Sequence, residues 1–323
     1  MESMQQTKTH KDNNTRIKEL FFNYGVVIAL ILLIVILTIL TQGIFIQSEN
    51  LINLLQQVSV NALLAIGATF VILTAGIDLS VGSIVAFSGM IAASFVTGDD
   101  PNIILGIVFG LASGLLIGLI NGFVIAKWKV APFIATLGMM AIARGATYIY
   151  SDGQPISNLS SSYLLIGGGK IFGIPISVLI TILVTIIFMI FLYKIKFGRY
   201  VFALGGNEQA AKISGLKVNR IKIAVYSISG LLAGLGGIIL SSRVTAGLPQ
   251  AGASYELDAI AAVIIGGTSL MGGKGRLWGT LVGVLIIGIL NNGLDILGVS
   301  SYWKDVVKGT IIIAAVMIDR KTD

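Results

Sequence analysis

Residues 102–126 read NIILGIVFGLASGLLIGLINGFVIA. No charged residue interrupts them, and about 20 apolar residues are enough to cross the hydrocarbon of a bilayer. Five glycines, Gly106, Gly110, Gly114, Gly118 and Gly122, recur at every fourth position. That spacing lines them along one face of a helix. Lipid tails give no hydrophobic drive between helices, so close backbone approach matters, and glycine permits it. The stretch therefore predicts a spanning helix packed tightly inside a bundle. Gly230 with Gly234, and Gly279 with Gly283, repeat the theme in shorter form.

The rest of the chain agrees with that reading. Of 323 residues, 55% are hydrophobic and only 11% are charged, with a mean hydropathy of +0.93. An ordinary soluble domain carries about 25% charged residues, and a disordered chain has low hydrophobicity. Glycine is unusually frequent at 40 residues, yet there is no collagen period and only 5 Pro. Cysteine is absent, which excludes disulfides, thiolate metal sites and cysteine nucleophiles. The single histidine, His10, lies in a polar N-terminal tail, so no histidine-based metal site is expected, and none is assigned. The net charge of +7 is read as the cytoplasmic excess of Lys and Arg in membrane proteins rather than as a nucleic-acid footprint.

Gaps in the charge map place about ten spans, near 22–41, 51–74, 80–97, 102–126, 131–151, 174–193, 221–241, 258–272, 277–297 and 303–318. The first is too long for a signal-peptide core and is read as an uncleaved span. Alternation from a cytoplasmic N-terminus puts 17 of the 22 Lys and Arg inside and four outside (Lys170, Arg243, Lys304 and Lys308), with Arg144 within a span. That asymmetry predicts both termini in the cytoplasm. The expected organisation is an all-α polytopic bundle over 21–319, with tails at 1–20 and 320–323. Its one sizeable cytoplasmic loop is 194–222. Five spans followed by five place the halves in opposite orientations, as in an inverted repeat. Asp78-Leu79-Ser80-Val81-Gly82 and Glu256-Leu257-Asp258-Ala259-Ile260 echo each other weakly in this scheme.

Several polar residues fall inside the spans. Asn61, Asn121, Asn291 and Asn292 either bond between helices or line a path for a polar solute. Asp78 sits at a span end beside Gly76 and Ser80, where it either caps the next helix or touches solute. Arg144 reaches the outer interface or pairs with a carboxylate such as Asp152. In the 194–222 loop, Asn207 is placed to cap a short helix starting at Glu208, and Gly215 to end it. That helix either lies on anionic lipid through its lysines or docks a cytoplasmic partner. Enzyme motifs are missing: Gly272-Gly273-Lys274-Gly275-Arg276 lacks the spacing and the Ser or Thr of a phosphate loop, so ATP chemistry would need another chain.

Several runs resemble the sugar permease subunits of bacterial ATP-binding cassette importers, of the ribose type. They are Gly76-Ile77-Asp78-Leu79-Ser80-Val81-Gly82-Ser83, Gly206-Asn207-Glu208 to Ser214-Gly215, and Tyr255-Glu256-Leu257-Asp258-Ala259-Ile260-Ala261-Ala262. Gly266-Gly267-Thr268-Ser269-Leu270 to Gly275-Arg276, Asn291-Asn292-Gly293-Leu294 and Val299-Ser300-Ser301-Tyr302 also match. The resemblance runs from about Asn50 to Asp319 and implies a transport subunit carrying ribose or a related monosaccharide by alternating access. It implies a second permease copy, a cytoplasmic ATP-binding subunit and a periplasmic or lipid-anchored sugar-binding protein as partners. Gly206, Asn207, Glu208, Ala210, Ala211 and Gly215 would then dock the ATP-binding subunit. Asn61, Asp78, Asn121, Asn291 and Asn292 are the candidates for the pathway. The rival readings are an ion-coupled secondary sugar carrier and a scaffold that transports nothing.

Overall fold

The computed structural model describes residues 25–319. The charged N-terminal tail, His10 and the last four residues lie outside that range. The described residues are almost wholly α-helical. The long elements are α1 (Gly25–Leu40), α2 (Ser48–Leu73), α3 (Val81–Phe95), α4 (Ile103–Lys127) and α5 (Pro132–Ser151). A short α6 (Ser161–Gly168) and a two-strand hairpin, β1 (Lys170–Ile171) and β2 (Ile174–Pro175), follow. Then come α7 (Ile176–Tyr193), α8 (Lys196–Gly206), α9 (Glu208–Ile213) and α10 (Val218–Arg243). The chain continues through α11 (Tyr255–Ile265), α12 (Leu277–Ile296) and α13 (Ser301–Asp319).

Six of these helices, α2, α4, α5, α7, α10 and α12, are long and apolar enough to cross a membrane. The apolar α1 and α3 are shorter. Nine of the ten expected spans coincide with a helix to within a few residues. The eighth does not: α11 ends at Ile265, and Gly266 to Arg276 form turns rather than the rest of a span. Eleven residues rise only about 17 Å. Gly267, Gly272 and Gly273 all adopt positive φ there, which explains why an apolar run fails to continue as helix. The expected 194–222 loop is also different in kind, since most of it is the helices α8 and α9.

The core is organised around α2 and α10. Helix α10 packs on α4, α3 and α2, and α2 packs in turn on α12, α11 and α7. The glycine stripe of α4 supplies the closest of these approaches. A Cβ at Gly114 would overlap the Gly230 carbonyl and lie 2.8 Å from Cα of Gly234. At Gly122 it would meet Cα of Ile223 at 2.7 Å, and at Gly118 Cα of Gly230 at 3.0 Å. The match is reciprocal, since a Cβ at Gly230 would lie 2.8 Å from Cα of Gly118. Gly106 lies against the end of α3, beside Val96 and Ala92, while Gly110 sits between the two helices, with Ile238 of α10 nearest and Ala92 of α3 next.

Obstructing the α4–α10 seam has a predictable cost. Gly118→Leu must displace backbone, not a mobile side chain, and should cost at least about 2 kcal/mol. Gly168→Ala, with open space around its Cβ, should leave stability unchanged. Thermal unfolding of the purified chain in detergent separates the two outcomes.

Candidate translocation and coupling sites

The first site is the break between α2 and α3. Helix α2 ends at Leu73, and residues 76–80 run without regular structure before α3 begins at Val81. Gly76 is required at the break, because a Cβ there would press on the Tyr226 hydroxyl at 2.5 Å and on the Val71 carbonyl at 3.2 Å. Asp78 is buried and accepts hydrogen bonds from the Ser80 amide (3.0 Å), the Ser80 hydroxyl (2.6 Å) and the Ser229 hydroxyl of α10 (2.8 Å). Asn121 on α4 donates to the Ser80 oxygen at 2.9 Å. The Tyr226 hydroxyl of α10 and the Thr136 hydroxyl of α5 both donate to the Ile77 carbonyl at 3.3 Å. A single carboxylate thus ties the start of α3 to α10, while Ser80 extends the network to α4.

The second site is the corresponding mouth of α11. Asp258 is buried in its first turn, and Asn291 of α12 donates to Oδ2 at 3.3 Å. Lys308 of α13 lies 2.9 Å from Oδ1 and donates to Oδ2 at 3.2 Å. Nearby, Asn292 and Asn50 exchange amide hydrogen bonds of 2.8 and 2.9 Å, joining α12 to the start of α2. Asn61 stands apart: it is buried within α2, and its Oδ1 has no hydrogen-bond partner among the described residues. Of the five pathway candidates, Asp78 and Asn121 therefore share one cluster, Asn291 and Asn292 are adjacent on α12, and Asn61 joins neither.

Arg144 does not take Asp152 as its partner. Its Nη1 donates to the carbonyls of Pro249 and Ala251, both at 2.8 Å, so it binds the loop before α11 rather than Asp152. Asp152 instead ends α5 in a left-handed conformation. The reason is geometric, because the α10–α11 loop passes α5 with two backbone acceptors facing the same way.

The third site is α9. Asn207 breaks the chain between α8 and α9 with extended backbone, and its Oδ1 accepts from the Ala210 amide at 2.9 Å. Gly215 follows the helix with φ +83°, and the Leu216 amide closes the end on the Ala211 carbonyl at 3.1 Å. Both capping expectations are met by these bonds. Ala211 is buried, while Ala210 is exposed and Ile213 is 87% exposed. Glu208 pairs with Lys222 of α10 at 2.8 Å. Helix α8 anchors the unit from behind through the buried Val201 and Leu204. Its penultimate residue, Gly205, touches the Leu73 carbonyl and the Gly273 amide, which are hydrogen-bonded to each other at 3.0 Å. The end of α2 therefore lies against the α8–α9 unit, three residues before the Asp78 break begins at Gly76.

Sequence reading alone did not single out Ser80, Ser229, Lys308 or Asn50. Serines and an end-of-span lysine are common, and only the partners across the bundle give these four a role.

An apolar bundle of crossing helices, with buried polar clusters at its helix breaks, defines a multi-span membrane protein of the transport class. The family described as "Branched-chain amino acid transport system / permease component" matches residues 50–316, and the chain belongs to it. The "Ribose import permease protein RbsC" of Bacillus subtilis (strain 168) is 54% identical over 300 residues, 92% of each chain. The protein of the same name from Escherichia coli (strain K12) is 49% identical over 298 residues, covering 91% of this chain and 92% of its own. The "D-allose transport system permease protein AlsC" of Escherichia coli (strain K12) is 40% identical over 298 residues, 92% of this chain and 91% of its own. No solved structure matches.

The Asp258 cluster is testable on its own. Breaking a buried ion pair from one side leaves an uncompensated charge and costs about 3–5 kcal/mol. Lys308→Met should therefore destabilise the chain by about that much, and Lys308→Met combined with Asp258→Asn should recover most of the loss. A double-mutant cycle of thermal unfolding in detergent reads the coupling.

Proposed function

We propose that this chain is the pathway-forming subunit of an ATP-driven importer of ribose or a closely related monosaccharide. The observation that carries the reading is identity of about half to ribose import permeases over nine-tenths of the chain, with a capped, exposed α9 built into it. The partners are a cytoplasmic ATP-binding subunit, a periplasmic or lipid-anchored sugar-binding protein and a second copy of this chain.

In this reading 21–319 is the permease domain, flanked by short cytoplasmic tails, and α9 faces the cytoplasm. The crossings are α1 to α5, α7, α10, α12 and α13, with the short α11 and the turns that follow it making up the tenth. Mirrored packing supports an inverted five-plus-five repeat. Helix α10 packs on α3 and α4, just as α2 packs on α11 and α12. Asn121 of α4 bonds Ser80 at the start of α3, and Asn291 of α12 bonds Asp258 at the start of α11. Those two pairs match the weak sequence echo in register.

Gly206, Asn207, Glu208, Ala210, Ala211 and Gly215 form the contact with the ATP-binding subunit. Small residues let a helix sit deep in a groove. Movement of α9 would pass through α8 to Gly205, then to the end of α2 and the break at Asp78. Polar groups held there by hydrogen bonds of about 1 kcal/mol each can exchange partners at little cost. Asn61, Asp78, Asn121, Asn291 and Asn292 would offer such groups to sugar as the bundle changes state. An ion-coupled carrier needs acids free to exchange a cation, whereas Asp78 and Asp258 each have partners within the chain.

Reconstitution with both partner subunits tests the proposal. Ribose uptake should require ATP hydrolysis, and uptake driven by an ion gradient without the ATP-binding subunit would refute it. Gly215→Trp should abolish uptake while leaving sugar capture by the binding protein intact, and normal uptake in that variant would remove the coupling role of α9.

A further inference from the structure

On the face that carries α9, the turn joining α4 to α5 and the first turn of α10 enclose a cavity of about 830 Å³. Lys127, Lys129, Lys212, Lys217 and Arg220 line it, together with the Glu208–Lys222 ion pair. The one acid in the wall is already neutralised by Lys222. None of the five remaining cations makes an ion pair among the described residues. The start of α10 adds to the excess, because its first turn has no acid and its N-cap, Lys217, makes no side-chain capping bond. Five like charges lining one cavity repel each other. A negative group placed among them relieves that repulsion.

The depth of the cavity identifies the group. Trp128 lies between Lys127 and Lys129 on the same turn, is 69% exposed, and meets Phe123 edge-on at 5.8 Å. Leu116, Leu119, Ile120 and Phe123 continue as an exposed apolar face of α4. Aromatic residues at the end of a lipid-facing apolar band mark the headgroup level of a bilayer. The cations beside Trp128 therefore stand at the level of the lipid phosphates. Basic pockets between spans at this level hold anionic headgroups.

We propose that this cavity binds the headgroup of an anionic phospholipid. The lipid phosphate sits between the α4–α5 turn and the start of α10, with its chains along the exposed face of α4. Through Lys212, the same headgroup braces the base of α9. The site thus makes the position of α9 sensitive to the charge of the surrounding leaflet. The assignment rests on the orientation proposed above only in naming that leaflet as the cytoplasmic one.

The full chain in detergent, offered equal amounts of phosphatidylglycerol and phosphatidylcholine with the same acyl chains, tests the site by native mass spectrometry. Phosphatidylglycerol should be retained in preference. Each of Lys127→Gln, Lys129→Gln and Arg220→Gln should lower its retention by about fivefold. Lys127→Arg with Lys129→Arg should keep it, and thermal unfolding of every variant should match the parent. Equal retention of the two lipids, or undiminished phosphatidylglycerol on a folded triple Gln variant, overturns the site. Displacement of the lipid by millimolar inorganic phosphate overturns the lipid as its natural occupant. Unchanged lipid retention with lost capture of the ATP-binding subunit overturns it in favour of a protein-docking surface. Side-specific labelling near Lys170 in sealed vesicles checks the orientation separately, so failure of one reading does not pass for failure of the other.

Discussion

The approach of α4 to α10, backbone against backbone, is the constraint on which the rest of the bundle depends. At Gly114, Gly118 and Gly122 the two helices leave no room for a single Cβ. A bilayer offers no hydrophobic gain for joining two apolar helices, so contact area and weak polar bonds must supply the association. Once α10 is seated on α4, its Ser229 and Tyr226 reach the Asp78 break, and its opposite faces are available to α2 and α3. Without that approach, the Asp78 carboxylate would lose one of its three donors inside an apolar protein.

The two buried acids of this protein mark helix breaks, not helix middles. Asp78 and Asp258 each stand where a short helix begins, and each is bonded to a neighbouring element. Short helices leave backbone groups unpaired within the bundle, and those groups must find partners there. The two sites differ in how they neutralise the acid, by hydroxyl and amide donors at Asp78 and by Lys308 at Asp258. The junction of Leu73, Gly205 and Gly273 links the first of these sites to the exposed α9.

Much of this was legible in the residue order. Nine of the ten stretches expected from the charge gaps coincide with helices, and the four-residue glycine period identified a face of α4 that packs. Asn207 and Gly215 announced the start and end of α9, since capping is a local property of three or four residues. Other elements carried no local signal. Helix α8 has a mixed composition that reads as a loop, and it is helical because Val201 and Leu204 bury against the core. Helix α11 sits in an apolar run long enough to suggest a span, but the glycine turns from Gly266 onward divide it. The partner of Arg144 is a pair of carbonyls a hundred residues away, and carbonyls have no signature in a sequence.

The sequence by itself determined that the chain lives in a membrane, where most of its helices run and where the short helix α9 starts and ends. Each of these follows from hydropathy, charge or capping over a few neighbouring positions. Only the tertiary structure decided which glycines meet which helix, which hydroxyls hold Asp78, that Lys308 answers Asp258, and that five cations surround one cavity. Those facts depend on residues tens to hundreds of positions apart being brought within a few ångströms. No local pattern encodes such a meeting, because the energy that specifies it exists only once the helices have packed.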